Sequence, residues 1–466
     1  MAGTDGVLLL QLLLIFLLIA INSSWVYLFI VALRSHFATP AIRDISIRRD
    51  KGHKGKSHDT QENYADSNNS PFVSVVVPAR NEQEHIQRCL ESIISQNYPS
   101  FEIVAVDDNS TDDTFRIMKD VQAERAYLAK RPKLMVIQLT DKPHGWTGKT
   151  WASEQGYLHS KGNVLLFTDA DAYFNSKNTI SLAVSYMQKD NLDVLTGVPY
   201  LQLRDFWSKI VMPVWMLFTE IFGTGMADMN NKKSKVAYLM GSFFLIKRDM
   251  FEQIGTYESV RNEIQEDRTL GILLKRNGSK IGIVKVDEIV TALLARDPST
   301  LWHGIQRTLT PVAMESRLRI VFHMLVLFFM AALPFLLLSY IVTTLPIARN
   351  DELLPQQQQR LPIFLLSILL SSTLPQSDGG RLSLELLLLL FLNVVSCLLV
   401  IIAAAVKGRK KYLLPPTYCV LAPIGALYLI IAYGYNIIPL LLSKRAKPIM
   451  WRGRTHEILA FSRRKE

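Results

Sequence analysis

Val164-Leu-Leu-Phe-Thr-Asp-Ala-Asp171 is an unbroken apolar run that ends in two carboxylates one residue apart. Runs this short and this apolar suit a strand covered on both faces, as in a parallel α/β sheet. Ligands bind such sheets beyond the carboxyl ends of the strands, which puts Asp169 and Asp171 in a cleft rather than in the core. Asp-x-Asp in that place supplies oxygen ligands to a hard cation, Mg2+ or Mn2+, whose shell substrate phosphates complete. The plainer alternative is two surface turn aspartates, because turns favour Asp. The stretches on either side bear on that choice.

Residues 71–296 read as one α/β domain. Strands are expected at Ser74–Pro78, Glu102–Asp108, Lys133–Leu139, Val164–Asp169 and Asp193–Val198. Helices are expected between them at Glu82–Gln96, Asp112–Ala129, Thr150–His159 and Thr179–Lys189. Such alternation implies right-handed crossovers and a mostly parallel, Rossmann-like sheet. No internal repeat is visible. A second carboxylate pair, Asp107-Asp108, closes the second strand on the same sheet edge as Asp169 and Asp171. Asn109, Ser110 or Thr111 beside it could equally serve as a helix cap, and the two roles are compatible. A third acidic pair, Glu266-Asp267, opens an amphipathic helix. It reads either as a solvated first turn facing the helix dipole or as a general base taking a proton from a hydroxyl.

Between these pairs lies Lys142-Pro-His-Gly-Trp-Thr-Gly-Lys-Thr-Trp-Ala152. Gly148-Lys149-Thr150 is not a nucleotide P-loop, because Pro143 stands where that motif needs Gly. Lys149 at a helix start can still contact a diphosphate. Trp146 and Trp151 read as helix–sheet packing in preference to ligand stacking.

The 466 residues are 49% hydrophobic and carry a formal charge of +11. Long apolar runs make an anionic membrane surface a simpler partner for that charge than nucleic acid. Cys89, Cys397 and Cys419 match no metal or redox spacing and read as reduced and structural. Val7–Leu33 is long enough to span a bilayer, and its flanks are those of an anchor, not a signal peptide. Arg34, Arg43, Arg48, Arg49, Lys51, Lys54 and Lys56 follow it, which places the next domain in the cytoplasm.

The expected organisation is an anchor at 1–33, a basic and polar linker at 34–70 and the α/β domain at 71–296. An interfacial amphipathic helix at 297–319, transmembrane helices within 320–443 and a basic tail at 444–466 complete it. Ile320–Pro346 and Leu384–Val406 are candidate spans, and Leu361–Leu374 is short for one. Tyr412–Ser443 is interrupted by prolines, so only its second half is an easy span. The clusters Lys407, Arg409, Lys410, Lys411 and Lys444, Arg445, Lys447, Arg452, Arg454 cannot both be cytoplasmic across one simple span. The tail is assigned to the cytoplasm on its larger charge.

Ser74-Val-Val-Val-Pro-Ala-Arg-Asn-Glu82, Asp107-Asp108, Asp169-Ala-Asp171 and Glu266-Asp267, in that order, resemble the family 2 glycosyltransferases of GT-A fold. The resemblance covers about residues 72–300. It implies that the turn holding Pro78, Arg80 and Glu82 lies beside the donor nucleotide, which Asp107 and Asp108 contact. It implies that Asp169 and Asp171 bind the metal and the donor diphosphate, and that Asp267 is the catalytic base. Gly145–Ala152 and Trp451–Arg454 are similar to stretches of membrane glycosyltransferases associated with carotenoid and hopanoid pathways. That similarity adds Trp451, Arg452 and Arg454 as candidates, and Glu266, Gly241, Gln306 and Arg307 join them. The chain departs from processive members, which carry Gln-x-x-Arg-Trp after the base. Here the region reads Trp302-His-Gly-Ile-Gln-Arg-Thr-Leu309, so transfer of one sugar is expected rather than polymer growth.

The implied protein is an integral enzyme of the cytoplasmic membrane with its catalytic domain in the cytoplasm. It would use Mn2+ or Mg2+ to move a hexose from a UDP- or GDP-sugar to the hydroxyl of a lipid acceptor such as a carotenoid, hopanoid or glycerolipid. Leu201–Ala227 would line the acceptor entrance or form a core helix. The rivals are a polyprenyl-phosphate sugar synthase and a non-enzymatic scaffold or transporter with a degenerate domain. The lack of an ionised residue deep in a span weighs against transport.

Overall fold

The computed structural model describes residues 2–43, 70–127, 132–221, 229–230, 234, 237–344, 384–412, 414–442, 449–451 and 454–456. In chain order these form α1 (Ala2–Ala38), β1 (Val73–Ala79), α2 (Ile86–Ile94), β2 (Phe101–Asp107), α3 (Thr114–Tyr127) and β3 (Lys133–Gln138). Next come α4 (Gly148–Leu158), β4 (Val164–Phe167), β5 (Ala172–Phe174), α5 (Thr179–Lys189), β6 (Val194–Val198), β7 (Tyr200–Leu203) and α6 (Phe206–Ile221). After them lie β8 (Phe244–Lys247), α7 (Arg248–Gln253), α8 (Glu266–Arg276), β9 (Ile281–Lys285), β10 (Val290–Ala295) and α9 (Pro298–Glu315). The chain continues with α10 (Arg317–Leu327), α11 (Leu333–Thr344), α12 (Leu384–Tyr412), α13 (Ala422–Leu442), β11 (Ile449–Trp451) and β12 (Arg454–His456).

Contacts divide the chain into a helical unit (Met1–Leu33, Phe206–Phe222, Ser316–Lys444) and an α/β unit (Arg34–Asp205, Gly223–Glu315, Arg445–Glu466). The expected block 71–296 is therefore interrupted. α6 groups with the apolar helices because it is apolar on every face, with Ile210, Val211, Val214 and Phe218 all buried. At the other end, α9 groups with the α/β unit. The helix expected over 297–319 breaks at Ser316, whose extended backbone and Oγ cap the start of α10.

The α/β unit is built on a seven-stranded sheet of order β3-β2-β1-β4-β8-β6-β9. β3, β2, β1 and β4 run parallel, and β9 runs parallel to β6. β8 alone is reversed, inserted antiparallel between β4 and β6. The strand read as Val164–Asp169 stops at Phe167, so Thr168 to Asp171 form a loop that leads into β5. β5, β10 and β7 make a second, three-stranded sheet that the apolar pattern did not reveal. Valines and isoleucines of β1 and β2 are fully buried, each contributing about 1.5–3 kcal/mol by transfer from water. Part of the expected linker is docked: Ile42 N–H donates to Lys285 O and Lys285 N–H to Pro40 O, closing the β9 edge.

In the helical unit four helices are long and apolar enough to cross a membrane, among the described residues: Leu12–Val31, Arg317–Ser339, Leu388–Val406 and Thr417–Asn436. A π-helical turn at Phe328–Ala332 frees backbone carbonyls, and the Trp25 indole N–H donates to Met330 O at 3.2 Å. Ser396 Oγ donates to Asn22 Oδ1 at 2.8 Å, joining α12 to α1. Arg48, Arg49, Lys51, Lys54 and Lys56, most of the linker, Leu361–Leu374, and Lys444, Arg445, Lys447 and Arg452 lie outside the described residues.

Candidate active site

Three strand ends carry the first set of candidate residues. β1 pairs with β4 only as far as Val76, so Pro78, opposite Val106 of β2, sits where a missing N–H costs no ladder bond. The chain then turns through Asn81, which takes a left-handed backbone at φ 52°. Arg80 Nη1 donates to the carbonyl of Asn109 at 2.8 Å and also to that of Asp108, tying the β1 turn to the β2 turn. Glu82 is 4% exposed and ion-pairs with Arg296.

Asp107 is completely buried at the end of β2. Its Oδ2 accepts from Ser110 N–H at 3.2 Å, while Oδ1 has no hydrogen-bond partner. Burial pushes its carboxyl above the usual range, and the Ser110 hydrogen bonds only partly offset this. Asp108 lies beside it, with its backbone N–H given to Ala79 O.

The second set converges from distant parts of the chain. Thr147 caps α4: its side chain accepts from Thr150 N–H, and the Thr150 hydroxyl oxygen accepts from Thr147 N–H in return. Thr147 N–H and Thr150 Oγ1 both donate to Arg261 O, clasping this turn to the segment before α8. α4 also lies close on β1, since a Cβ on Gly156 would be 2.3 Å from Val76 Cγ1. This seating carries Lys149, in the first turn of α4, to the sheet edge. Its Nζ lies 2.8 Å from Asp169 Oδ1 and 3.0 Å from Glu266 Oε1. Burial disfavours the ammonium, but Asp169, Glu266 and Asp267 outweigh it and hold the Lys149 pKa well above its ordinary value.

Gly241 is the floor of this cluster. A Cβ there would stand 2.8 Å from Lys149 Nζ, 3.3 Å from Asp267 Oδ2 and 3.9 Å from Asp169 Oδ2. Burial first, then the adjacent Glu266 carboxylate, push the Asp267 carboxyl up to about 6, against the pull of Lys149 and Arg307. A carboxylate with that affinity for protons is a competent base near neutral pH. Asp267 in turn pushes up the phenol of Tyr238, which stays protonated and able to donate. Arg307 reaches this group from α9, whose neighbour Gln306 is buried and whose Thr308 O accepts from Gln265 Nε2 at 3.2 Å. β11 lies beside α9 and pairs Trp451 with Arg454, so the tail motif stands next to the helix of Gln306 and Arg307.

Asp169 and Asp171 supply two carboxylates, and no group of three His, Cys, Asp or Glu fit to hold a metal exists among the described residues. A hard cation fits there when diphosphate oxygens and water complete its shell. Cys89 lies beneath this loop, its Sγ 3.7 Å from Asp169 O, and burial together with Asp171, Glu82 and Asp169 pushes its thiol up, away from reactivity. All three cysteines are free and buried. Trp146 and Trp151 pack edge to face at 5.2 Å, the Trp151 indole donating to Asp141 O.

Of the residues singled out in the sequence, Arg80, Glu82, Asp107 and Asp108 lie on the β1 and β2 turns, and Lys149, Asp169, Glu266 and Asp267 meet around Gly241. Arg296 and Tyr238 were not among them. Arg296 ends the apolar run Val290–Ala295 as the aspartates end theirs, a signal that was present; Tyr238 carries none.

The sheet is mixed and mostly parallel, and α/β folds of this kind take ligands beyond their strand ends. Residues 74–255 match the family model described as Glycosyl transferase family 2. Glu266, Asp267 and Arg296 lie beyond the matched residues. The 4,4'-diaponeurosporenoate glycosyltransferase of Staphylococcus aureus (strain USA300) is 25% identical over 205 residues, 44% of this chain and 51% of the relative. The same protein of strain NCTC 8325 / PS 47 gives the same figures. The chain spans about half the length of the curated relatives it matches. Among solved structures, the mannosyltransferase PcManGT of Pyrobaculum calidifontis, in complex with GDP-Man and Mn2+, aligns at 18% identity and a TM-score of 0.44, covering 85% of this chain and 99% of that one. S. aureus TarS 1–349 in complex with UDP-GlcNAc aligns at 15% identity and a TM-score of 0.36, covering 83% and 96%.

Proposed function

We propose that this chain is a membrane-bound inverting glycosyltransferase that moves one hexose from a UDP- or GDP-sugar to the hydroxyl of a lipid-soluble acceptor. The observation that carries the reading is the convergence of Lys149, Asp169 and the Glu266-Asp267 pair around Gly241. Asp107, Asp108 and the Arg80 turn take the nucleotide. Asp169 and Asp171 hold Mn2+ or Mg2+, which supplies charge to offset that building on the leaving diphosphate. Asp267 accepts the acceptor's proton as its oxygen attacks the anomeric carbon from the face opposite the diphosphate. The bond from that carbon to the diphosphate oxygen breaks, its electron pair leaves with the nucleoside diphosphate, and configuration inverts. Lys149 stands ready to compensate the departing charge. Trp451, Arg452 and Arg454 belong to the acceptor side, with Gln306 and Arg307.

The lipid acceptor is supported by the four apolar helices in the same chain and by the carotenoid-related name of the S. aureus relative. The basic residues after α1 support a cytoplasmic catalytic domain. The main competing acceptor is an anion, either a polyprenyl phosphate or a carboxylate, neither of which needs a base.

The test is donor hydrolysis by detergent-solubilised protein against a panel of UDP- and GDP-sugars, with Mn2+, Mg2+ or a chelator, beside Asp171→Asn. Release of one nucleoside diphosphate that needs the metal and is lost in Asp171→Asn supports the reading. No release from any donor, with or without lipid extract, sinks it in favour of a degenerate-domain scaffold.

A further inference from the structure

β10 leaves the second sheet on an arginine that ties the β1 turn to the start of α9. Its pairing with β7 slips between Leu293 and Ala295, an irregularity of the kind that re-aims the side chains after it. On its other side, β10 pairs with β5 directly after the Asp171 loop, and Leu293 N–H donates to Asp171 O. Arg296 follows at once, and Asp297 then caps α9 by accepting from Thr300 N–H at 2.9 Å.

The Arg296 guanidinium ion-pairs with Glu82 Oε2, and its Nη1 donates to Asn81 O at 3.1 Å. Both side chains are shielded, 22% exposed for Arg296 and 5% for Glu82. From Asn81 the links run on to the β2 turn. Asn81 N–H donates to Ser110 Oγ at 3.0 Å, and Asn81 Oδ1 accepts from Thr111 N–H at 2.9 Å. Ser110 N–H in turn holds Asp107 Oδ2. An unbroken chain of polar contacts thus joins the start of α9 to the buried carboxylate whose Oδ1 has no partner. Lys149 is paired elsewhere, with Asp169 and Glu266.

We propose that Arg296 is a positioning residue for the nucleotide: through Glu82 and Asn81 it fixes the setting of the Asp107 turn that receives the base. Glu82 then works as the anchor of Arg296 and touches no donor atom. The inference rests on the reading of Asp107 as a nucleotide contact. The same arginine lies just before the helix that carries Arg307, whose charge acts on Asp267.

The experiment is equilibrium binding of UDP, GDP and inorganic pyrophosphate, each with Mn2+, to the full-length solubilised protein. Arg296→Met, Arg296→Lys and Glu82→Gln are compared with the unmodified chain. Arg296→Met and Glu82→Gln should weaken the preferred nucleotide about tenfold or more, as a displaced contact does, while pyrophosphate affinity stays within about twofold. Arg296→Lys should recover part of the loss, since it keeps the charge but not the fork. Nucleotide affinity unchanged in both variants overturns the inference. So does an equal loss for nucleotide and pyrophosphate, which marks general damage to the fold. If the unmodified protein binds pyrophosphate but neither nucleotide, the glycosyltransferase reading itself fails and takes this inference with it.

Discussion

Asp107 ends β2 and Asp169 lies in the loop just after β4, the two strands that flank β1, yet the structure treats them in opposite ways. Asp107 is sealed from solvent, is held by the Ser110 peptide, and keeps one oxygen without a partner. Asp169 is part of an exchange of charge, 2.8 Å from an ammonium that also serves Glu266. The first region is built from backbone and short polar side chains of two adjacent loops, residues 78–82 and 107–114. The second draws charged residues from α4, the β4 loop, α8 and α9, with Tyr238 and Gly241 from the segment before β8. A hydrogen-bonded pocket of the first kind recognises shape, whereas a charge cluster of the second kind responds to charge that appears during reaction.

Breaking the charge cluster should therefore cost turnover far more than affinity. Asp267→Asn is the largest expected effect, a fall in kcat of about 10³-fold or more with a hydroxyl acceptor, within the range for loss of a general base. Steady-state kinetics with donor and acceptor varied in turn would measure it; a loss under tenfold would point to an anionic acceptor. Lys149→Met comes next. It leaves Asp169 and Glu266 without their cation and should lower kcat by about 10²-fold, typical of one electrostatic stabiliser. Its effect on the binding of nucleoside alone should be small.

The pH dependence sharpens the contrast. Because the Asp267 carboxyl sits near 6, kcat/KM should fall as pH drops through that value and the base takes up its proton. Glu266 raises that affinity and Lys149 lowers it, so the acid limb should move to lower pH in Glu266→Gln and to higher pH in Lys149→Met. Rate profiles between pH 5 and 8 would show whether the two shifts have opposite signs, about one unit or less each for a partly shielded neighbour.

Gly241→Ala is a gentler probe of the same cluster. The added Cβ meets the flexible end of Lys149 at 2.8 Å and Asp267 Oδ2 at 3.3 Å, both side-chain ends, so the fold should survive and kcat should drop about tenfold through a displaced ammonium and base. A melting temperature unchanged beside that drop would separate chemistry from stability. The smallest effect is expected away from both regions' ligands. Thr147→Ala removes the cap of α4 and should cost about 1 kcal/mol, a fall of about 2–4 °C in melting temperature. Thermal unfolding of the solubilised protein measures it.

Much of this site could be read along the chain. Asp107, Asp108, Asp169 and Asp171 declared themselves because each pair ends an apolar strand, and a parallel sheet sends all such ends to one edge. Lys149 was legible through the glycine and threonine that start its helix. The reversed strand β8 was not, since Phe244–Lys247 is four residues long and apolar without a period of its own. β5, β7 and β10 escaped for the same reason. Val164–Asp169 was read two residues too long because the apolar pattern carries no mark where hydrogen bonding to β1 ceases. α6 was counted with the soluble domain because a helix apolar on all faces differs from a core helix only in what surrounds it.

By itself the sequence determined the alternation of strands and helices, the acidic edge and the apolar helices at both ends of the chain, because these follow from local periodicity and from chain direction in a parallel sheet. Only the tertiary structure decided that Lys149 answers to Asp169 and Glu266, that Gly241 leaves room for them to meet, and that Arg296 grips Glu82 across 214 residues of chain. Such pairings depend on which loops the sheet order sets side by side, and an ionic contact carries no period or spacing along the chain from which to be read.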